Sequence, residues 1–299
     1  MKIAFVGASG YGNAGDDTYP IVFATHLQGH ELLFHNSDLP ANLPDDIAVL
    51  VIGGGGLLHN VGAEPEPAES PHFACMRHYM DWAIAKGISW GFLSCGFQFE
   101  VNRDDRYAEA LKPWVPYLQA AHFITLRSPA CVRIAHEISG RSDVLVFPDA
   151  AYLFQPVNPT SVEKQNVLTL VLAGLINPKN VHTLHCIKHF QSIGMHIVWM
   201  GMGADVDDAM LLEEAARKFP NAHVISNPGP QEAFRQIACS RFVMTGRYHG
   251  MVYARRLGIP YFVPLDAPYK IQHEDLSADM SKAIGHMETL RSVISKLVW

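Results

Sequence analysis

The stretch FVGASGYGNAGDD, Phe5 to Asp17, decides how this chain is read. The apolar run Ile3 to Val6 predicts a strand, and Gly7, Gly10, Gly12 and Gly15 follow it closely. A glycine turn after a first strand is where dinucleotide-binding folds grip a pyrophosphate, with the spacing G-x-G-x-x-G and a helix directly behind it. Gly7-x-x-Gly10-x-Gly12 departs from that spacing. The end of the second strand, ELLFHNSD, offers His35 or Asp38 where a ribose-binding carboxylate belongs. The loop closes with Asn13-Ala14-Gly15-Asp16-Asp17, and the two acids are expected at the helix start, as N-cap and first-turn residues. There they occupy the positive helix end that a pyrophosphate would need. Three readings stand: a dinucleotide turn of the looser spacing found in some reductases, a loop that holds another substrate group, or a plain strand-to-helix turn that needs positive φ.

Working outward, β-rich runs alternate with helix-length segments. Ile3–Val6, Glu31–His35, Ala48–Ile52, Ser89–Ser94, Phe123–Leu126 and Val144–Val146 read as strands, with helical patterns such as Phe73 to Lys86 and Tyr107 to Ala121 between them. Around QPVNPTSVEKQ, Gln155 to Gln165, the pattern lapses into linker composition. It resumes with strands at Val167–Leu172, His196–Met200, His223–Ile225, Phe242–Thr245 and Tyr261–Val263. Helices are expected at Val181–Ile193, Asp207–Phe219, Pro230–Ala238 and His249–Leu257, and one or two more in the tail from Ser277 to Val298. β-Branched strands joined by helices imply parallel sheets covered on both faces. The expected fold class is α/β: two Rossmann-like, doubly wound domains, residues 1–158 and 159–299, facing a cleft. The helical tail is assigned to the second domain. Ligands of such sheets sit beyond the carboxyl ends of the strands.

Composition narrows the function. With 299 residues, 48% hydrophobic and 17% charged, the chain has enough apolar mass for two cores. A net charge of −6 without a basic block argues against nucleic acid as a partner. The five cysteines form no CxxC pair, and no His, Cys and carboxylate cluster suggests a metal. No apolar run reaches the roughly 18 residues of a membrane span, and MKIAFVGASG is broken too early for a signal peptide. A cytoplasmic enzyme is expected, with the inner membrane face as a candidate station.

Two further constellations carry chemistry. Val51-Ile52-Gly53-Gly54-Gly55-Gly56 puts four glycines behind a buried strand, poor strand and poor helix alike, so close approach of a ligand or of the first glycine loop is expected. In Ser240-Arg241-Phe242-Val243-Met244-Thr245-Gly246-Arg247-Tyr248-His249-Gly250, a strand ends at Thr245 and a helix follows. Arg247 at that turn offers a planar fork to a carboxylate or phosphate, aided by helix-terminal amides. His249 can exchange protons near neutral pH. Most of the 16 histidines, His136 and His189 among them, carry no such placement.

In order and spacing, GYGNAGDD, VIGGGGLL and TGRYHGMVYARRLGIPYF, followed by Lys270, resemble the polysaccharide pyruvyl transferase family. Ser94-Cys95-Gly96-Phe97, Leu126-Arg127-Ser128 and Phe147-Pro148-Asp149-Ala150 extend the resemblance over roughly residues 3 to 271. This chain has Tyr248 where leucine or phenylalanine is frequent, and Asp17 where glutamate is. The resemblance implies a GT-B-like glycosyltransferase architecture. It also implies transfer of the pyruvyl group of phosphoenolpyruvate to hydroxyls of a saccharide, giving a pyruvate ketal in cell-surface polysaccharide biosynthesis. Phosphoenolpyruvate enters as donor substrate, and no tightly bound cofactor is expected. The acceptor is a saccharide, with lipid-linked intermediates among the candidates. His249 and Arg247 are assigned to catalysis; Arg247, Lys270, Gly246 and Gly250 to the donor; Asn13, Asp16, Gly53, Gly54 and Gly55 to the acceptor. Arg127 is either a cleft residue or a helix-start ion pair. Two other classes compete: a nucleotide-sugar-dependent glycosyltransferase of the same architecture, and a non-catalytic sugar- or anion-binding member.

Overall fold

The computed structural model describes residues 1–60, 69–98, 111–156, 162–174, 176–203, 206–264 and 278–297. The chain divides into two compact units: Met1–Gly10 with Tyr19–Leu153 and His273–Trp299, and Tyr11–Thr18 with Phe154–Gln272. The boundary falls at Leu153/Phe154 instead of 158/159, and two further segments change sides. The C-terminal tail, expected in the second domain, joins the first unit as one helix, Met280–Lys296 (α9). The loop Tyr11–Thr18, expected in the first, joins the second.

The first unit is a six-stranded parallel sheet in the order β2-β1-β3-β4-β5-β6. Its strands are Lys2–Gly7 (β1), Glu31–Asn36 (β2), Ile47–Leu58 (β3), Ser89–Phe97 (β4), Phe123–Leu126 (β5) and Leu145–Val146 (β6). Helices Thr18–His26 (α1), Pro71–Lys86 (α2), Val115–Ala120 (α3) and Pro129–Ser139 (α4) connect them. Local chemistry sets the helix ends. Ser70 Oγ accepts from Phe73 N at 3.1 Å ahead of Pro71, and Gly87 closes α2 at φ +63°. Ser128 and Gly140 do the same for α4. Trp90, Trp114, Tyr79, Phe92 and Phe73 fill the core and are at most 1% exposed.

β3 differs from expectation: it runs through the four glycines instead of stopping before them. Gly53 and Gly55 stay in register with Leu93 and Cys95 of β4. Tertiary packing overrides the poor strand propensity. A Cβ on Gly7 would overlap the Gly53 carbonyl, and one on Gly54 would overlap the Tyr19 ring. Gly54 and Gly55 also hold φ of +82° and +100°, which L side chains rarely adopt.

The second unit is a five-stranded parallel sheet, ordered β11-β10-β7-β8-β9. Its strands are Val167–Val171 (β7), His196–Met200 (β8), His223–Ile225 (β9), Phe242–Thr245 (β10) and Tyr261–Phe262 (β11). Between them lie Val181–Ser192 (α5), Val206–Lys218 (α6), Pro230–Cys239 (α7) and Tyr248–Arg256 (α8). The chain lays down β7, β8 and β9 outward in one direction. It then returns to place β10 on the other side of β7. That reversal makes the carboxyl ends of β7 and β10 the topological switch point, where the connecting loops part and ligands of doubly wound sheets bind.

Candidate functional site

Arg247 stands at that switch point, as the N-cap residue of α8 directly beyond β10. Its backbone is held by one hydroxyl: Thr245 Oγ1 accepts from Arg247 N at 3.1 Å and donates to Arg247 O at 2.9 Å. Gly250 makes room for this bracket, since a Cβ there would overlap Thr245 Oγ1. Gly246 lets the turn close onto the end of β7, where a Cβ would crowd Ala173. Both glycines flanking Arg247 thus have packing reasons that place the arginine.

The guanidinium is aimed from two sides. Nε donates to Leu172 O at 3.0 Å, and Nη2 donates to Asp208 Oδ1 at 2.6 Å. Asp208 lies in the first turn of α6 with its side chain 3% exposed, and its Oδ2 accepts from Gly203 N at 3.0 Å. A buried carboxylate facing a partly exposed arginine is a charge-assisted contact of the strong kind. Beside it opens a cavity of about 480 Å3 whose lining includes Lys179 and Arg247 and three acids, Asp207, Asp208 and Glu214. Lys179 pairs there with Glu214 at 2.9 Å. An anion entering this cavity would meet two cations, each already facing a carboxylate, and would compete for the arginine fork.

His249, two residues on, is 7% exposed. It belongs to the same unit as the loop Tyr11–Thr18, and the two touch. Gly15 lies against the imidazole so closely that a Cβ would overlap Nδ1, Cγ and Cβ of His249. Nδ1 lies 3.8 Å from Asp16 Oδ1, within ion-pair reach and beyond a direct hydrogen bond. The Tyr248 ring stands edge-on to the imidazole, with centroids 5.4 Å apart.

The loop is pinned to this unit by its backbone. Ala14 N donates to Met202 O at 2.8 Å, and Tyr253 Oη, from α8, donates to Ala14 O at 3.0 Å. Thr18 Oγ1 also donates to Ala14 O, at 3.1 Å, and meets Tyr253 Oη. Asn13 Oδ1 accepts from Gly15 N at 3.0 Å, an Asx turn, so this expected acceptor contact shapes the loop itself. The expected helix start is displaced by one residue, so that Asp17 rather than Asp16 stands directly ahead of the helix. Residues 14–17 form a turn, α1 starts at Thr18, and its first turn carries no acid. The tight turn and the imidazole docked on Gly15 leave Asp16 beside the histidine.

Of the predicted site residues, the second unit brings together Arg247, His249, Gly246, Gly250, Asn13 and Asp16. Gly53, Gly54 and Gly55 belong to the first unit and lie inside β3, with the Tyr19 ring on Gly54. Lys270 lies outside the described residues. Arg127 is 2% exposed and pairs with the fully buried Asp149 at 3.3 Å, while Tyr19 Oη donates to both Asp149 oxygens at 3.0 and 2.9 Å. It thus forms an ion pair directly ahead of the α4 N-cap Ser128, and is part of a buried network. Asp208 escaped sequence reasoning because VDDAMLLEEAARK reads as an ordinary acid-led helix. The usable signal was position: an acid pair beyond the carboxyl end of a strand.

A family model described as polysaccharide pyruvyl transferase matches residues 14–263, which include both the Asn13–Asp17 loop from its second residue and the Arg247–His249 turn. Among solved structures, a Staphylococcus aureus MnaA–UDP co-structure is 9% identical with a TM-score of 0.58, covering 99% of this chain and 89% of that one. UDP-GlcNAc 2-epimerase from Methanocaldococcus jannaschii is 12% identical with a TM-score of 0.57, covering 96% and 92%. The Neisseria meningitidis enzyme bound to UDP-GlcNAc is 10% identical with a TM-score of 0.57, covering 99% and 93%. At such identities the likeness speaks for the fold alone: two parallel-sheet α/β domains of the GT-B class. No curated protein sequence is matched. Among the described residues, no helix is long and apolar enough to cross a membrane.

Proposed function

Because this chain belongs to the polysaccharide pyruvyl transferase family, we propose that it moves the pyruvyl group of phosphoenolpyruvate onto two hydroxyls of a saccharide, forming a cyclic ketal and releasing phosphate. The observation that carries the reading is the placement of Arg247 and His249 together at the β7/β10 switch point, on a turn whose every neighbour serves to fix them. Phosphoenolpyruvate has a carboxylate and a phosphate on a three-carbon skeleton. A planar fork suits the carboxylate, and the N-terminal amides of α8 suit a second anionic group. Lys270 is the proposed phosphate partner on the family resemblance.

The chemistry moves three protons. Protonation of the methylene carbon turns it into the methyl group and leaves C2 electrophilic. A saccharide hydroxyl adds to C2 and gives up its proton. A second hydroxyl of the same saccharide then displaces phosphate, its proton leaving with the phosphate. His249, two residues from the proposed carboxylate clamp, acts as acid in the first step and base in the second. Gly53 and Gly54 are not used for the acceptor, since a Cβ on them would meet protein, Leu93 and Tyr19 in turn.

The test is phosphoenolpyruvate-dependent phosphate release across a panel of saccharide acceptors, beside thermal shifts with phosphoenolpyruvate and with UDP. A specific binder raises the melting temperature by mass action. Protection by phosphoenolpyruvate with acceptor-dependent phosphate release is expected. Protection by UDP alone would transfer the reading to a nucleotide-sugar enzyme. Protection by phosphoenolpyruvate without turnover on any acceptor would transfer it to a binding protein.

A further inference from the structure

Two motifs more than two hundred residues apart in sequence meet at one ring, and their meeting has a chemical sense. Gly15 is bare because the His249 imidazole lies on its Cα. The next residue, Asp16, then faces Nδ1 at 3.8 Å. Both groups are sheltered, with side chains 8% and 20% exposed. The loop that carries Asp16 is not free to drift: Ala14 is tied through its N–H to Met202 and through its carbonyl to Tyr253 and Thr18.

We propose that Asp16 is the positioning residue of His249, holding the ring with Nδ1 toward the carboxylate and assigning proton transfer to Nε2. This inference rests on the proposed acid–base role of His249 and moves Asp16 from the saccharide to the histidine. In the transfer, Nε2–H of the imidazolium gives its proton to the methylene carbon, leaving neutral imidazole. The same Nε2 then takes the proton of the attacking hydroxyl, and the imidazolium is restored. A fixed carboxylate beside Nδ1 favours the charged ring at the start and end of that cycle. A carboxylate that orients a histidine through Nδ1 is a general device for keeping the other nitrogen in working position.

Among the described residues, the loop and the turn on either side of the ring carry three charged groups. The loop brings Asp16 and Asp17, and the turn that opens α8 brings Arg247. Arg247 is itself engaged, its Nη2 facing Asp208 at 2.6 Å.

The test reads the histidine itself as well as the reaction. His249 Cε1–H is assigned by NMR in the full chain by its disappearance in His249→Gln, then titrated in wild type, Asp16→Asn and Asp16→Glu without any ligand. Asp16→Asn is expected to lower the titration point by about one pH unit, the low end of the shift one close opposite charge produces. Asp16→Glu, which keeps the charge, restores most of it. In phosphate release, Asp16→Asn should lower kcat about tenfold, that unit expressed as a rate, with KM for phosphoenolpyruvate nearly unchanged. If Asp16→Asn does not fold, Asp16→Ser and Asp16→Glu are compared in the same way. An unchanged His249 titration point in a folded Asn or Ser variant overturns the inference. So does a raised KM for the saccharide at unchanged kcat, which returns Asp16 to the acceptor. Because the titration needs no substrate, absence of turnover in the wild type would sink the proposed function and leave this result readable.

Discussion

Gly15→Ala isolates the contact on which the site is built. Gly15 is not among the glycines with positive φ, so its backbone conformation is open to alanine. On that ground alone the substitution should stabilise the chain by about 0.4–1 kcal/mol, by restricting the unfolded state. The added Cβ, however, would overlap Nδ1, Cγ and Cβ of His249. The ring cannot retreat easily, being 7% exposed with Tyr248 packed edge-on against it. Overpacking of this kind costs about 1–3 kcal/mol, so the steric term wins and Gly15→Ala should destabilise. His249→Gly removes all three overlapped atoms, and in that background Gly15→Ala should revert to neutral or stabilising. The coupling energy of the double-mutant cycle is therefore expected to exceed about 1 kcal/mol, read by chemical denaturation with intrinsic fluorescence following the transition. Equal costs of Gly15→Ala in the two backgrounds would refute the packing of His249 on this loop.

Arg247→Lys keeps the charge and loses the planar fork, so one lysine cannot reach both Leu172 O and Asp208 Oδ1 as Nε and Nη2 do; thermal protection by phosphoenolpyruvate should weaken while the fold persists, and undiminished protection would count against an anion clamp. His249→Gln should lower phosphate release by about 10²- to 10⁴-fold, the range of a lost general acid or base; a variant that melts early yet turns over normally when folded removes His249 from the mechanism. In the first unit, burial pushes the fully buried His286 down to about 4 from 6.5, against the opposing pull of the Asp149 charge. Its Nδ1 and Nε2 are engaged by Thr125 Oγ1 at 2.7 Å and Pro148 O at 2.9 Å. Between pH 6.5 and about 4 the unfolded chain binds the extra proton, so stability falls as pH falls through that window, by on the order of 3 kcal/mol at full loss. Denaturation curves at pH 7 and pH 4.5 should diverge for the wild type and much less for His286→Gln; parallel pH dependence in the two would remove His286 as its source.

The alternation of strands and helices was legible because parallel strands covered on both faces must be continuously apolar and β-branched, a pattern local enough to read directly. Phe123–Leu126, His196–Met200, His223–Ile225 and Phe242–Thr245 have the same bounds in the sequence reading and in the structure. The errors came where a distant partner outweighs a local preference. Four glycines argue against a strand, yet β3 continues through them because Gly7 and Tyr19 close over bare backbone that no other residue would leave. Asp16 and Asp17 argue for an N-cap at Asp16, yet the helix starts one residue later with Asp17 directly ahead of it, and Met202 and Tyr253 hold the loop. Neither partner lies within any window that periodicity can scan.

Strand order was the deeper omission, and it bears on function most. A parallel α/β pattern is compatible with several orders, and each order puts the parting of the loops at a different pair of strands. Only with β10 laid beside β7 does the turn Thr245–His249 come to the switch point, and only there do Leu172 and Ala173 lie beside Arg247. Arg-Tyr-His at the end of a strand gains its meaning from that adjacency. At an outer strand such as β9 the same three residues would have a neighbour on one side alone. Asp208 reaches Arg247 from α6, the helix that follows β8, on the far side of β7 from the arginine's own strand. The site is thus a property of three strand ends brought side by side, and its chemistry was readable residue by residue before its geometry was.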